Sequence, residues 1–230
     1  MSVVSDRRDN YLAVFCTFIS PGDLIQCIHG LPGGVFPVQI TFETSYSPRE
    51  YADAGPDFPF PTLGLCPSCK QGKPHRHGFY WRFCLDGYRC LRIKIRRYYC
   101  RRCGITISLL PGFCVPRFQY TLDVIWKALL LHLDEDHSLR RCLRRLKNKF
   151  PLLDWHPHCV SFYAKRFQAN LPWMETLLRC AFSRMKLDSG IKRRAKKVLA
   201  TARYRFPRIQ SFPKLFFEQC HRSFLAPTHF

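Results

Sequence analysis

Two Cys-x-x-Cys pairs, Cys66-Pro-Ser-Cys69 and Cys100-Arg-Arg-Cys103, carry the plainest chemistry in this chain of 230 residues. Each pair can turn both sulfurs to one side of a tight turn, and two pairs make the donor set of a tetrahedral structural zinc site. Zn2+ held by Cys66, Cys69, Cys100 and Cys103 is therefore the expected cofactor. His75 and His77 lie between the pairs, but a loop histidine beside Arg76 reads as solvated or facing phosphate rather than as a ligand. His156-Pro-His158-Cys159 has no partner pair near it in sequence, so it is not read as a second metal site.

The segment between the pairs must bring them together. Phe79-Tyr-Trp-Arg-Phe83 and Leu91-Arg-Ile-Lys-Ile-Arg96 each alternate with a period of two around Asp86-Gly87, so residues 63–112 read as a zinc ribbon built on a β-hairpin. A two-residue Asp-Gly turn would mix the faces. A loop of odd length sets Phe83, Trp81 and Phe79 opposite Leu91, Ile93 and Ile95, and this register is expected because it gathers the apolar side chains. The other face then carries Arg82, Arg92, Lys94 and Arg96 as a cationic strip.

Residues 117–186 read as helical. Thr121 opens a helix with Leu122, Ile125, Trp126, Leu129 and Leu133 on one face, and Ser138 caps a second with Leu139, Cys142, Leu143 and Leu146 at helical spacing. The second helix turns Arg140, Arg141, Arg144 and Arg145 to its opposite side, followed by Lys147 and Lys149. Carboxylates are nearly absent from that face, so pairing within the helix does not explain it, and phosphate contact does. A third helix from about His158 to Leu171 buries Val160, Tyr163, Ala164, Phe167 and Leu171 and presents His158, Ser161, Lys165, Arg166 and Gln168. The pair resembles a helix-turn-helix with a base-reading second helix, joined by a longer loop than the simplest version has. Pro172 opens a fourth helix. Residues 1–62 form an N-terminal segment without assigned chemistry, in which Tyr11 to Ile19 and Val35 to Phe42 are strand candidates, and 187–230 read as a basic tail.

The formal charge is +21. Residues 1–64 hold three arginines against seven carboxylates, so the excess lies from the ribbon onward and implies a polyanionic partner, nucleic acid above all. Thirteen cysteines are an odd count, and the first residues do not read as a signal peptide, so reduced thiols in the cytoplasm are expected, with association to the nucleoid. No apolar run is long enough to cross a bilayer, and no membrane partner is expected. After Asp136 the only acids are Asp154, Glu175, Asp188 and Glu218, too few and too scattered for two-metal strand transfer, and no phosphate loop or nucleophile elbow is present. An enzyme is not expected.

Cys66-Pro-Ser-Cys69, His77-Gly78-Phe-Tyr80, the run from Arg92 through Cys103 and Ser108-Leu-Leu-Pro111 resemble an uncharacterised bacterial family of transposase-like zinc-ribbon proteins. The stretch is similar to the N-terminal zinc-ribbon and helix-turn-helix portion of insertion-sequence transposases. The resemblance covers about residues 35–170 and implies zinc on the four cysteines and binding to DNA such as transposon ends, with a transposase or a second copy of the chain as protein partner. It does not extend to an RNase H-like catalytic domain, so transposition activity is not implied. The fold expected is α+β: a small four-cysteine zinc ribbon followed by an all-α helix-turn-helix region. The function expected is zinc-dependent duplex DNA binding without catalysis; an RNA-binding zinc-ribbon module is the alternative.

Overall fold

The computed structural model describes residues 38–182, 190–206 and 208–227. The expected strand at Tyr11–Ile19 lies outside them. In chain order the elements are β1 (Val38–Phe42), α1 (Pro48–Ala54) with a 3-10 turn at Gly55–Asp57, β2 (His75–Leu85), β3 (Cys90–Tyr99), β4 (Thr106–Pro111), α2 (Leu122–Leu129), α3 (Leu139–Lys149), α4 (Pro157–Ala169), α5 (Leu171–Ala181), α6 (Ile191–Arg205) and α7 (Ser211–Cys220). The chain is thus mixed α and β. Among the described residues no helix is long and apolar enough to cross a membrane.

The hairpin β2–β3 is not alone. β4 pairs antiparallel with β3 over Arg96–Tyr99, and β1 pairs parallel with β4, giving a four-stranded sheet in the order β1-β4-β3-β2. The segment after the second cysteine pair supplies β4, a strand beyond the expected hairpin: Ile107, Leu109 and Leu110 are fully buried there. β4 pairs with β3 only from Arg96 on, and beyond it the Tyr51 hydroxyl of α1 donates to the Lys94 carbonyl at 2.9 Å. Ser47 starts α1 with a reciprocal cap, its hydroxyl accepting from Glu50 N–H while the Glu50 carboxylate accepts from Ser47 N–H. The Ser47 N–H, and after it the Ser47 hydroxyl, hold the Glu50 carboxyl below its usual range.

The register of the hairpin differs from the expected one. Trp81 stands opposite Lys94, Phe83 opposite Arg92 and Phe79 opposite Arg96, while Arg82 stands opposite Ile93. The cause is a four-residue tip, Asp86–Arg89, because Leu85 pairs with Cys90. Asp86 Oδ1 accepts from Tyr88 N–H at 2.8 Å and Arg89 N–H at 2.7 Å, which fixes the length of the loop. Gly87 has φ +86°, and a Cβ there would stand 2.6 Å from the Phe150 Cβ, so both its backbone and its neighbour require glycine. Arg82 therefore points to the inner face beside Cys84, Ile93 and Ile95. Its guanidinium donates to the Val115 and Phe118 carbonyls, the former at 2.8 Å, and it is no part of a cationic strip.

The helices form a second core around α2, whose Leu122, Val124, Ile125, Trp126, Ala128 and Leu129 are all buried. Thr121 stands at its N-cap but makes no side-chain cap; its N–H donates to the Leu85 carbonyl instead. Ser138 does cap α3, accepting from Arg141 N–H. The segment read as a basic tail holds two helices of this core. In α6, Ala195, Val198, Leu199 and Ala202 recur at helical spacing and are buried, and α7 adds Phe212, Phe216 and Cys220. Burial pushes the Cys220 thiol up to about 11. Glu175 on α5, buried, accepts from Arg194 on α6 at 2.7 and 2.6 Å in a two-pronged ion pair that ties these helices together.

Side-chain and backbone hydrogen bonds join the two cores. Arg82 reaches from β2 to the loop before α2, the Gly87 carbonyl accepts from Leu152 N–H beyond α3, and Gln210 exchanges two hydrogen bonds with the Thr44 backbone beyond β1.

Candidate functional site

The two cysteine pairs come together where the ends of the hairpin meet. Cys66 Sγ lies 3.6 Å from Cys103 Sγ and Cys69 Sγ 3.7 Å from Cys100 Sγ, and all four sulfurs lie within 4.8 Å of one another. A tetrahedral ion with metal–sulfur bonds of about 2.3 Å spaces its sulfurs by about 3.8 Å, so the group fits such an ion, and the sulfurs are too far apart for disulfides. These four residues can hold a metal ion.

The two turns that present the sulfurs are built alike. Lys70 N–H donates to the Cys66 carbonyl and Gly104 N–H to the Cys100 carbonyl, each at 2.9 Å, and Lys70 and Gly104 take positive φ of 58° and 70°. The loop then closes on the first cysteine of each pair: Cys66 N–H donates to Gly72 O and Cys100 N–H to Ile105 O. Gly72 sits against the site itself, since a Cβ there would stand 2.8 Å from Cys100 Sγ. The backbone N–H groups of Gly72 and Gln71 pull the Cys69 thiol down to about 6. The Ile105 N–H acts in the same sense on Cys103, but burial and the neighbouring thiols outweigh it and push Cys103 up to about 12. Four thiols this close do not ionise together unless a cation joins them.

Outside the metal centre, Arg92, Lys94 and Arg96 share the outer face of the hairpin, and the register puts the aromatic residues of β2 among them. The Arg92 guanidinium lies 4.4 Å from the centre of the Trp81 ring, Lys94 Nζ 5.0 Å from it, and Arg96 4.3 Å from the Phe79 ring. Trp81 is 50% and Phe83 53% exposed. The aromatic half of this face escaped sequence reasoning; the signal for it was Asp86, able to cap two N–H groups and so to close a four-residue tip.

On α3, Arg140, Arg141, Arg144, Arg145, Lys147 and Lys149 are all exposed. Two of them have carboxylates from neighbouring segments, which inspection of the α3 face alone overlooked: Arg145 lies 3.5 Å from Glu135, and Lys149 lies 3.6 Å from Asp123 of α2. For Arg140, Arg141, Arg144 and Lys147, no carboxylate among the described residues lies within ion-pair distance. On α4, His158 and Lys165 are exposed and Ser161 is half-buried. Arg166 is committed elsewhere. Its guanidinium donates to the Leu225 carbonyl at 3.3 Å and stacks 4.7 Å from the Phe162 ring, so it secures the chain after α7 instead of projecting freely. His156 and His158 stack with ring centres 4.8 Å apart. Among the described residues, the four cysteines are the one group of three or more potential donors gathered for a metal.

Compared with family models, curated proteins and solved structures, the chain finds no match, so the reading of its function rests on this geometry.

Proposed function

We propose that the chain is a non-enzymatic, zinc-stabilised DNA-binding protein that grips duplex phosphates with α3. The observation that carries this reading is the outer face of α3, where Arg140, Arg141, Arg144 and Lys147 stand exposed without a carboxylate partner among the described residues. Unpaired cations on a helix repel one another, and a polyanion turns that cost into binding energy by releasing its condensed counterions. α4, with His158, Ser161 and Lys165, follows α3 as the second helix of a helix-turn-helix and is the element to enter the major groove. Zinc is the ion of the four-thiolate centre, and its role is structural: it closes the ends of a hairpin whose own core is small. Glu175 is bound to Arg194, so it is not available for metal-dependent strand chemistry. The resemblance of the ribbon to transposase zinc ribbons makes transposon ends the first duplexes to try, with a transposase or a second copy of the chain as protein partner.

A salt titration of zinc-loaded protein on duplex DNA tests the reading. Replacing Arg140→Ala together with Arg144→Ala removes two phosphate contacts. It is expected to lower the slope of log affinity against log salt by about 1.8 and to weaken binding about tenfold or more near physiological salt. An unchanged slope rejects α3 as the phosphate grip, and equal affinity for all duplexes rejects base reading by α4.

A further inference from the structure

The outer face of the ribbon differs in kind from that of α3. Trp81 and Phe83 are two residues apart on β2, so both rings leave the same side of the sheet, about 6.6 Å apart along the strand. That is about twice the 3.4 Å rise per nucleotide of a stacked strand, which leaves room over each ring for one base of an extended strand. Both are about half exposed, although large apolar side chains in a row on a charged face are costly to leave in water. Arg92, opposite Phe83, is exposed and leans over the Trp81 ring, with Lys94 beside it. The face thus offers two aromatic rings, with cations beside Trp81, and with Arg92 across the strand pair from Phe83. A bilayer surface would need a longer apolar face, and an apolar protein partner would leave Arg92 and Lys94 desolvated without counter-charge. A duplex has its base faces stacked internally and offers nothing to the rings. An unpaired strand supplies both halves of the complement, bases for the rings and phosphates for the cations.

We infer that Trp81 and Phe83, with Arg92 and Lys94, form a stacking platform for single-stranded nucleic acid, separate from the duplex grip on α3. The inference rests on the reading of the chain as a nucleic-acid-binding protein and adds a second substrate class on a second surface.

The test uses full-length, zinc-loaded protein with three probes: oligothymidylate of about 20 nucleotides, longer than the roughly 4–16 that one such platform covers, oligouridylate of equal length, and a duplex. Of the four tryptophans, Trp126 and Trp155 are buried and Trp173 half-buried, so Trp81 is the one open to contact with a base. Its fluorescence is expected to be quenched by the single strands, and Trp81→Phe is expected to abolish the quenching while retaining most of the affinity. Trp81→Leu with Phe83→Leu keeps apolar bulk and removes the π faces. It is expected to weaken single-strand binding at least fivefold and to change duplex binding less than twofold. A smaller loss, an equal loss on the duplex, or no quenching in the wild-type protein overturns the platform. If the double variant loses zinc, quenching in the wild type and its absence in Trp81→Phe decide alone. The ratio of thymidylate to uridylate affinity tells DNA from RNA as the source of the strand. The duplex arm, read with Arg140→Ala and Arg144→Ala, reports on α3 independently, so either surface can fail without the other.

Discussion

At the metal centre the cysteines supply the charge and the backbone supplies the shape. Cys66 and Cys100 are fully buried, and each donates its N–H to a carbonyl of the loop that follows it, so backbone hydrogen bonds help to aim the sulfurs. Support of this kind extends to Gly72, where a Cβ would stand 2.8 Å from Cys100 Sγ and 3.8 Å from Cys69 Sγ. Cys66→Ser or Cys103→Ser is expected to lose the metal and, with it, the fold of the ribbon, seen as zinc content falling from one per chain toward none. Gly72→Ala is the subtler probe. Its Cβ must displace Cys100 Sγ from 2.8 Å, so the centre still forms but competes less well, and a loss of about 10–100-fold in zinc affinity against a chromophoric chelator is expected, the range seen when the supporting groups of a metal site are altered. Full retention of affinity in Gly72→Ala would show that the loop gives way freely and that the site is not preorganised there.

Elements that depend on local rules were legible in the sequence, and those that depend on distant partners were not. The two cysteine pairs, the Ser138 cap of α3 and the proline-opened α5 follow from spacing and capping within a few residues. The hairpin was legible as a hairpin, but its register was set by the Asp86 carboxylate and by Gly87 packing on Phe150, a residue of the helical core. β4 is a strand by virtue of its pairing with β3 and with β1, far upstream, which no local pattern announces. The segment after Gly190 reads as a basic tail because its lysines and arginines overwhelm an apolar stripe of small residues, Ala195, Val198, Leu199 and Ala202, that a neighbouring helix can cover. The docking of α6 also turns on a contact that no local pattern reveals, the pair of Arg194 with buried Glu175. Removing Arg194 leaves the buried Glu175 carboxylate without its counter-charge, so Arg194→Gln is expected to cost about 3 kcal/mol in urea unfolding, with faster hydrogen exchange along α6. Exposed Arg193→Gln on the same helix is the control and is expected to stay within about 0.5 kcal/mol of wild type. Equal stability of the two variants would mean that α6 is held by its apolar stripe alone.

At the scale of the whole molecule, the tip of the hairpin meets the end of α3. The Tyr88 ring lies 5.6 Å from the Phe150 ring at the end of α3, Lys149 Nζ lies 5.1 Å from that same ring, and Leu152 N–H bonds the Gly87 carbonyl. Arg82 and Gln210 brace the sheet against the helices, so the ribbon does not swing freely on a linker. A ligand that engages α3 with a duplex and the ribbon with an unpaired strand then makes its second contact within one molecule, at an effective concentration set by geometry instead of by dilution. The expected consequence is that a duplex carrying a single-stranded tail binds at least tenfold more tightly than either the blunt duplex or the isolated strand. Arg140→Ala with Arg144→Ala should reduce that affinity to the level of the strand alone, and Trp81→Leu with Phe83→Leu to the level of the blunt duplex. Anisotropy titrations of the three ligands against the three proteins measure this directly. A tailed duplex that binds no better than the stronger of its parts would mean that the two faces cannot be occupied together, and the proposal that they serve one ligand would fall while each face kept its own test.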